Sequence, residues 1–380
     1  MAVRQGFQDR RPVMEFAAIL IVIGLVFQDF LLSSFLVFNF YGFRGEIPKE
    51  WPHVTILIPS RNEEKNLPRC LYSVNKLDYP LDKLEIILGD DRSGDRTWEI
   101  LEDWQRQKDH VHIMKISEGN PENMNGKANA LAQMAEKSKG SLLLFTDADC
   151  VLPPTWVKSM VRAQLESQAG VVTGITSVAP KSLFARMQGM DWWLTLGMVK
   201  VISDWGNAVT SMGNNMLITK KAYEAVGGFA GIPFSLTEDF EIGKAIKEKG
   251  FRSIHLVSNE NLAQTEAMQG CGELLRQRKR WMYGAMQLPM FWKLLLALQV
   301  AFFPAILFLV FLHPFEGLAV WLFKVATQGF FIYLFASKTG EKLKKRDFVF
   351  FELYYLATAW STIVYYFWPS KTDWKGRKYG

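Results

Sequence analysis

Two carboxylate pairs stand where chemistry is possible. Asp90 and Asp91 are adjacent and follow the apolar run Leu84–Gly89 (LEIILG). Asp147 and Asp149 are two apart and follow Ser141–Phe145 (SLLLF). Aspartate is common in turns and helix caps, which suits Asp95 ahead of Arg96 and Thr97. It does not suit two adjacent carboxylates, whose repulsion something must offset. Residues two apart in extended chain project to one side, so Asp147 and Asp149 share a face with the small Ala148 between them. Such a pair fits a hard divalent cation whose remaining ligands are water or phosphate. D-x-D alone recurs by chance, and its place at the end of an apolar run gives it weight.

Three further groups fit a phosphorylated ligand or a proton transfer. Asn125-Gly126-Lys127 opens a helix, offering backbone N–H groups and a lysine to an anion; an exposed lysine after a turn is the alternative. In Gln277-Arg278-Lys279-Arg280-Trp281, helical spacing puts Gln277 on one face with Arg280 and Trp281. Arg280 is suited to clamping phosphate oxygens and Trp281 to forming a flat wall. A basic stripe beside a membrane accounts for Arg276, Arg278 and Lys279, but not for Gln277 and Trp281. In Thr237-Glu238-Asp239, Thr237 is a candidate N-cap with two acids in the first turn; the competing reading makes Asp239 a base.

The elements that must position these residues alternate. Val54–Ser60, Leu84–Gly89, Val111–Ile116 and Ser141–Thr146 read as strands. Asn66–Lys76, Thr97–Gln107 and Gly126–Lys137 read as helices between them. The expected class is α/β with a mostly parallel sheet, and ligands then bind beyond the carboxyl ends of the strands. Both aspartate pairs fall there.

The chain has 380 residues, 49% of them hydrophobic and 22% charged, so disorder is excluded. Its three cysteines, Cys70, Cys150 and Cys271, are far apart, which argues against a disulfide framework or structural zinc. Apolar residues concentrate at both ends. Phe16–Phe43 carries only Asp29, Leu294–Leu312 no charge, Gly317–Ser337 only Lys324, and Phe348–Trp368 only Glu352. These lengths suit membrane spans. A buried core helix is the alternative, strongest for Gly317–Ser337 because a mid-span lysine is costly in lipid. The span count stays open at three to five. The basic stretch 338–346 belongs on the cytoplasmic side, yet three complete C-terminal spans would place the basic tail after Trp368 outside. Residues 338–380 hold nine Lys or Arg against four acids, nearly the whole net charge of +6. That placement makes the charge an orientation signal and removes nucleic acid as a partner.

The motifs VTILIPSRNEE (54–64), DDRSGDRT (90–97), GKANAL (126–131), TDAD (146–149), TEDFEIG (237–243) and QRKRW (277–281) occur in one order. Together they resemble membrane-embedded family 2 glycosyltransferases, inverting enzymes of the GT-A type, across roughly Pro52 to Tyr283. The tail Trp374-Lys375-Gly376-Arg377 with Tyr379 looks like the ending of members that glycosylate lipids. The resemblance implies that Asn62, Glu63, Asp90 and Asp91 hold the nucleotide, most often uridine. It implies that Lys127 and Asp147 lie by the diphosphate, with Asp149 and Asp147 at a Mg²⁺ or Mn²⁺ ion. Asp239 would be the general base beside Glu238, and Gln277, Arg280 and Trp281 would close the site over the leaving group and acceptor. One departure is Cys150, where some polymer-forming relatives have His, so a further protein metal ligand there is not expected.

The expected organisation is a membrane segment at 1–45, a cytoplasmic glycosyltransferase domain at 48–286, membrane helices at 287–368 and a basic tail at 369–380. Transmembrane and interfacial helices at both ends would make it a multi-pass protein of the bacterial inner membrane. The expected activity is metal-dependent inverting transfer of a sugar, UDP-linked, to a hydroxyl of a membrane lipid. A processive polysaccharide synthase shares every motif but needs more helices for a channel. A membrane transporter or scaffold with a nucleotide-binding domain would be expected to have lost some of the acidic motifs, and all are present.

Overall fold

The computed structural model describes residues 2–119, 123–370, 372–374 and 377–379, with the side chains of 2–10, 372–374, 378 and 379 left aside. Lys371, Lys375 and Gly376 of the tail lie outside the described residues. The chain opens with α1 (Ala2–Phe38). It continues through β1 (Val54–Ser60), α2 (Leu67–Val74), β2 (Leu84–Asp90), α3 (Thr97–Gln105), β3 (Val111–Lys115), α4 (Gly126–Lys137), β4 (Leu142–Thr146) and α5 (Trp156–Ser167). Next come β5 (Val171–Thr173), β6 (Ile175–Val178), α6 (Leu183–Asp204), β7 (Asn215–Thr219), α7 (Lys220–Ala225), α8 (Glu238–Glu248), β8 (Ser253–His255) and β9 (Leu262–Thr265). The C-terminal part holds α9 (Cys271–Ala285), α10 (Met290–Leu312), α11 (Pro314–Ser337), α12 (Asp347–Phe367), β10 (Thr372–Trp374) and β11 (Arg377–Tyr379).

The α/β expectation holds, with element ends shifted by a residue or two. The main sheet has strand order β3-β2-β1-β4-β7-β5-β8, parallel except where β7 runs antiparallel to β4 and β5. Strand order reverses across β1 and β4, which creates the crevice that binds ligands in such sheets. The central strands are continuous apolar runs because both faces are covered. Ile56, Ile58, Leu88 and Leu144 pack with Leu71, Leu101 and Trp156 on one face. Leu57, Ile87, Leu143 and Phe145 pack with Ala128, Leu131 and Ile242 on the other.

Among the described residues, four helices are long and apolar enough to cross a membrane: 11–38 within α1, then α10, α11 and α12. The far end of α1 meets the α10–α11 turn, where Glu15 Oε1 and His313 Nε2 are 2.8 Å apart. Midway, Lys324 Nζ donates to Asp29 Oδ2 at 2.6 Å and to Gln328 Oε1 at 2.8 Å, and Thr327 Oγ1 donates to Asp29 Oδ2 at 3.2 Å. The lysine that argued against a span is thus paired with the one acid of the first apolar segment. Both are buried, and removing either charge strands the other in an apolar surrounding.

Helix α12 meets these helices, with Trp321 Nε1 of α11 donating to Glu352 Oε1 at 2.8 Å and Phe303 of α10 against Tyr355, and it is also held by α6 and α9. At its start Arg186 of α6 pairs with Asp347 at 2.7 Å. At its end Lys279 of α9 donates to Trp368 O at 2.9 Å and to Ser370 O at 2.9 Å. Between them, Phe184 packs on Tyr354 and Tyr283 on Tyr366. Both ends of this 21-residue helix thus touch α6 and α9. Val349, Leu353, Trp360, Val364 and Phe367 stay exposed on one side, an apolar face suited to lipid.

Asp29→Asn or Lys324→Met alone should lower stability by about 3–5 kcal/mol. The double variant should recover most of it, as read from thermal unfolding of the detergent-solubilised protein.

Candidate active site

The strand ends converge on the crevice as expected. Asn62 and Arg92 both take a left-handed backbone, φ 52° and 58°, a conformation that costs a non-glycine residue least when it is Asn. In this shape Asn62 Oδ1 accepts from Gly94 N at 2.8 Å, and Asn62 N donates to Ser93 Oγ at 3.0 Å. Glu63 N donates to Thr97 Oγ1 at 2.8 Å, while its carboxylate accepts from Asn66 Nδ2 at 2.9 Å. These bonds fasten the loop after β1 to the loop after β2. Asp95 lies one residue before the N-cap of α3, which is Arg96, and accepts from Thr97 N at 3.0 Å.

Asp90 and Asp91 are both buried. Asp90 Oδ2 accepts from Ser93 N at 3.4 Å, whereas Oδ1 has no hydrogen-bond partner among the described residues. A buried, unmated carboxylate oxygen is costly unless a ligand donor meets it. The repulsion between the two carboxylates is offset from an unexpected quarter. Arg377 of the tail grips Asp91 with both terminal nitrogens, Nη1–Oδ2 2.8 Å and Nη2–Oδ1 2.9 Å, and Arg92 Nε stands 3.5 Å from Oδ1.

Asn125 caps α4, its Oδ1 accepting from Ala128 N at 2.9 Å. Its Nδ2 donates to Glu238 Oε2 at 2.8 Å and to Ser235 O at 2.7 Å. Lys127 is not the exposed lysine of the alternative reading. Its Nζ stands 2.5 Å from Asp147 Oδ1 and 3.6 Å from Glu238 Oε1. Burial alone would push its pKa down, but Asp147, Glu238 and Asp239 outweigh it and hold the ammonium above its ordinary value. Asp239 Oδ2 accepts from Gly213 N at 2.7 Å and Oδ1 from Phe240 N at 2.9 Å. Burial and the neighbouring Glu238 raise its pKa, opposed by Lys127 and those two N–H groups. Thr237 does not cap α8 through its side chain. Its hydroxyl lies against Ser235 and against Gly284 of α9, where a Cβ would come within 2.8 Å of it.

Asp147 and Asp149 are half-buried at the end of β4. Among the described residues no cluster of three or more His, Cys, Asp or Glu forms a metal cage. Burial, then Asp149 and Asp147, push the Cys150 thiol well above its ordinary value, so it is a poor thiolate ligand in this setting.

Gln277, Arg280 and Trp281 ride on α9, and Trp281 meets Trp192 of α6 edge-on at 5.6 Å. The basic-stripe reading holds for the exposed Arg276 but fails for Arg278 and Lys279. Arg278 pairs with Asp191 of α6, and Lys279 is buried and anchors the tail. The residues missed at the outset are Gly213, which orients Asp239 through its N–H, and Arg377. The tail motif was visible in the sequence, but nothing local connected it to Asp91, 286 residues away.

The profile described as glycosyl transferase family 21 matches residues 16–380. The probable glycosyltransferase YdaM of Bacillus subtilis is 29% identical over 61% of this chain and 56% of its own length. The beta-monoglucosyldiacylglycerol synthase of Synechocystis is 24% identical over 62% and 48%. The poly-beta-1,6-N-acetyl-D-glucosamine synthase of Staphylococcus aureus is 25% identical over 61% and 54%. The chain thus spans about half the length of these curated relatives. Among solved structures, a mannosyltransferase from Pyrobaculum calidifontis in complex with GDP-Man and Mn²⁺ superposes with TM-score 0.62 and 17% identity over 94% of this chain and 98% of that one. That likeness is one of fold. The profile match, on a sheet whose strand ends gather these carboxylates, identifies the chain as a member of glycosyl transferase family 21.

Proposed function

We propose that this glycosyltransferase moves one sugar from a nucleoside diphosphate sugar, UDP-linked as the motifs imply, to a hydroxyl of a membrane lipid. The donor half of this reading is supported by the cleft after β1, β2 and β4. Asp90 offers its unmated oxygen to an N–H or O–H of the nucleoside, with Asn62, Glu63 and Asp91 forming the wall around it. Lys127 and the N-terminus of α4 face the phosphates. Asp147 and Asp149 fit a divalent cation bound together with the donor, since two carboxylates leave most of its ligand positions to phosphate and water. When bound, Mg²⁺ or Mn²⁺ supplies positive charge against the leaving diphosphate. The Pyrobaculum structure's Mn²⁺ and nucleotide sugar support the same class of ligand.

Asp239 takes the proton of the acceptor hydroxyl as that oxygen attacks the sugar carbon from the face opposite the diphosphate. One displacement inverts the anomeric centre and needs no enzyme nucleophile. Gly213 N–H and Phe240 N–H fix the carboxylate, and the neighbouring Glu238 is held by the Asn125 cap. Arg280 and Gln277 close over the leaving group, and Trp281 with Trp192 walls the acceptor side.

One observation carries the choice of a lipid acceptor and a single transfer. Three apolar helices pack on one another through Val22, Phe303 and Ile306 and through the Asp29–Lys324 pair, while α12 is held by α6 and α9. That small, tightly paired set suits an acceptor already lying in the membrane better than a chain threaded through it. The basic stretch 338–346 stands on the catalytic side, since Lys338 lies over the Phe40 ring and Asp347 pairs with Arg186. The positive-inside rule supports a cytoplasmic site. Incubating the purified protein and Mn²⁺ with UDP-glucose, UDP-N-acetylglucosamine or GDP-mannose and a total lipid extract should yield one lipid heavier by one sugar, read by mass spectrometry. A ladder of products would favour the polymerising alternative; no transfer at all would sink the reading.

Asp239→Asn should cut kcat by about 10²–10⁴-fold while nucleotide binding persists. In the wild type, the acid limb of kcat/KM should inflect above the ordinary aspartate value, because the base works deprotonated and its pKa is raised. Asp149→Ala should weaken both turnover and Mn²⁺-dependent binding of the nucleotide, visible as a flattened metal titration. Lys127→Met, which leaves three carboxylates facing one another, should abolish binding and lower the melting temperature, whereas Lys127→Arg should keep part of both.

A further inference from the structure

The tail returns to the site along a built path. β10 and β11 form an antiparallel hairpin, Trp374 opposite Arg377, and β10 packs against α9. Lys279, buried in α9, donates to Trp368 O, Ser370 O and Ser370 Oγ at 2.9–3.0 Å. Those three bonds use the whole donor capacity of an ammonium. The lysine inside the Gln277–Trp281 element therefore aims the chain that carries Arg377.

Arg377 ends in a confined place. Its guanidinium chelates Asp91 and lies on Gly126, the first residue of α4. A Cβ there would overlap Nη1 and stand 2.7 Å from Cζ, so only glycine leaves room. A cation pressed on a helix N-terminus meets the positive end of the helix dipole, and Lys127 adds a second cation one residue on. The bidentate pair with Asp91 offsets that crowding. An anion between the α4 N-terminus, Lys127 and Arg377 would be held by all three, and a planar guanidinium suits phosphate oxygens.

We infer that Arg377 is a donor-contacting residue, delivered to the site by the C-terminal hairpin, which passes from Asp91 to the diphosphate when donor binds. Lys279 is its positioning residue. The inference rests on the donor-site reading above and names a ligand contact beyond it. No bond is made or broken in the exchange; one charge-assisted pair replaces another.

The test uses the full chain in detergent or nanodiscs with UDP and GDP, each with Mn²⁺, and with uridine and guanosine as probes lacking phosphate. Arg377→Ala should weaken diphosphate binding by about tenfold or more and leave nucleoside binding unchanged, with Arg377→Lys falling between. Gly126→Ala, which keeps the charge but evicts the guanidinium, should show the same phosphate-specific loss. Lys279→Met should raise the donor KM more than it lowers kcat. Unchanged diphosphate binding in Arg377→Ala would overturn the inference alone. Tighter binding would overturn it too, making the tail a plug, and so would equal losses for nucleoside and diphosphate. A wild-type protein that binds neither UDP nor GDP with Mn²⁺ would remove the donor-site reading itself.

Discussion

The site depends on one buried ammonium. Lys127 sits 2.5 Å from Asp147 and 3.6 Å from Glu238, with Asp239 close enough to add to its charge environment. Those acids come from the end of β4 and the start of α8, far apart in the chain, and neither group would tolerate the other without a cation between them. The lysine is brought there by the Asn125 cap, whose amide also holds Glu238. The metal-side carboxylate and the base are therefore placed by one residue, and the repulsion of gathered negative charge is offset before any ligand arrives.

A similar logic governs the apolar half. Asp29 and Lys324 join α1 and α11, and Arg186–Asp347 with Lys279 ties α12 to α6 and α9. Charges inside apolar helices look like flaws when each segment is read singly. Paired, they specify which helices meet and in what register, a role well attested for isolated buried polar groups.

Much of the sheet and of the site was legible in the sequence. Unbroken apolar runs such as LEIILG belong to strands covered on both faces, and the acids that follow them fall at the binding edge by topology alone. What local pattern left open was settled by distant partners. Thr237 reads as a cap, but its hydroxyl bonds to Ser235 and lies against Gly284 instead. Arg278 and Lys279 read as solvated charge, but Asp191 and the carbonyls after α12 bury them. The stretch 348–368 reads as a span, but length and composition do not encode Arg186 and Lys279, the partners that hold its two ends. Arg377 belongs to the same class, since no periodicity links residue 377 to residue 91.

The Asp29–Lys324 pair has a consequence for the order in which the protein is made. Asp29 emerges from the ribosome first, and its partner follows 295 residues later, after every strand of the main sheet. Until then α1 holds an acid with no counter-charge, a costly state in lipid. The first helix gains its counter-charge only once the α/β part has been synthesised and α11 has followed it. The stability of the first helix is thereby tied to completion of the catalytic part, and a product truncated before α11 would lack that charge.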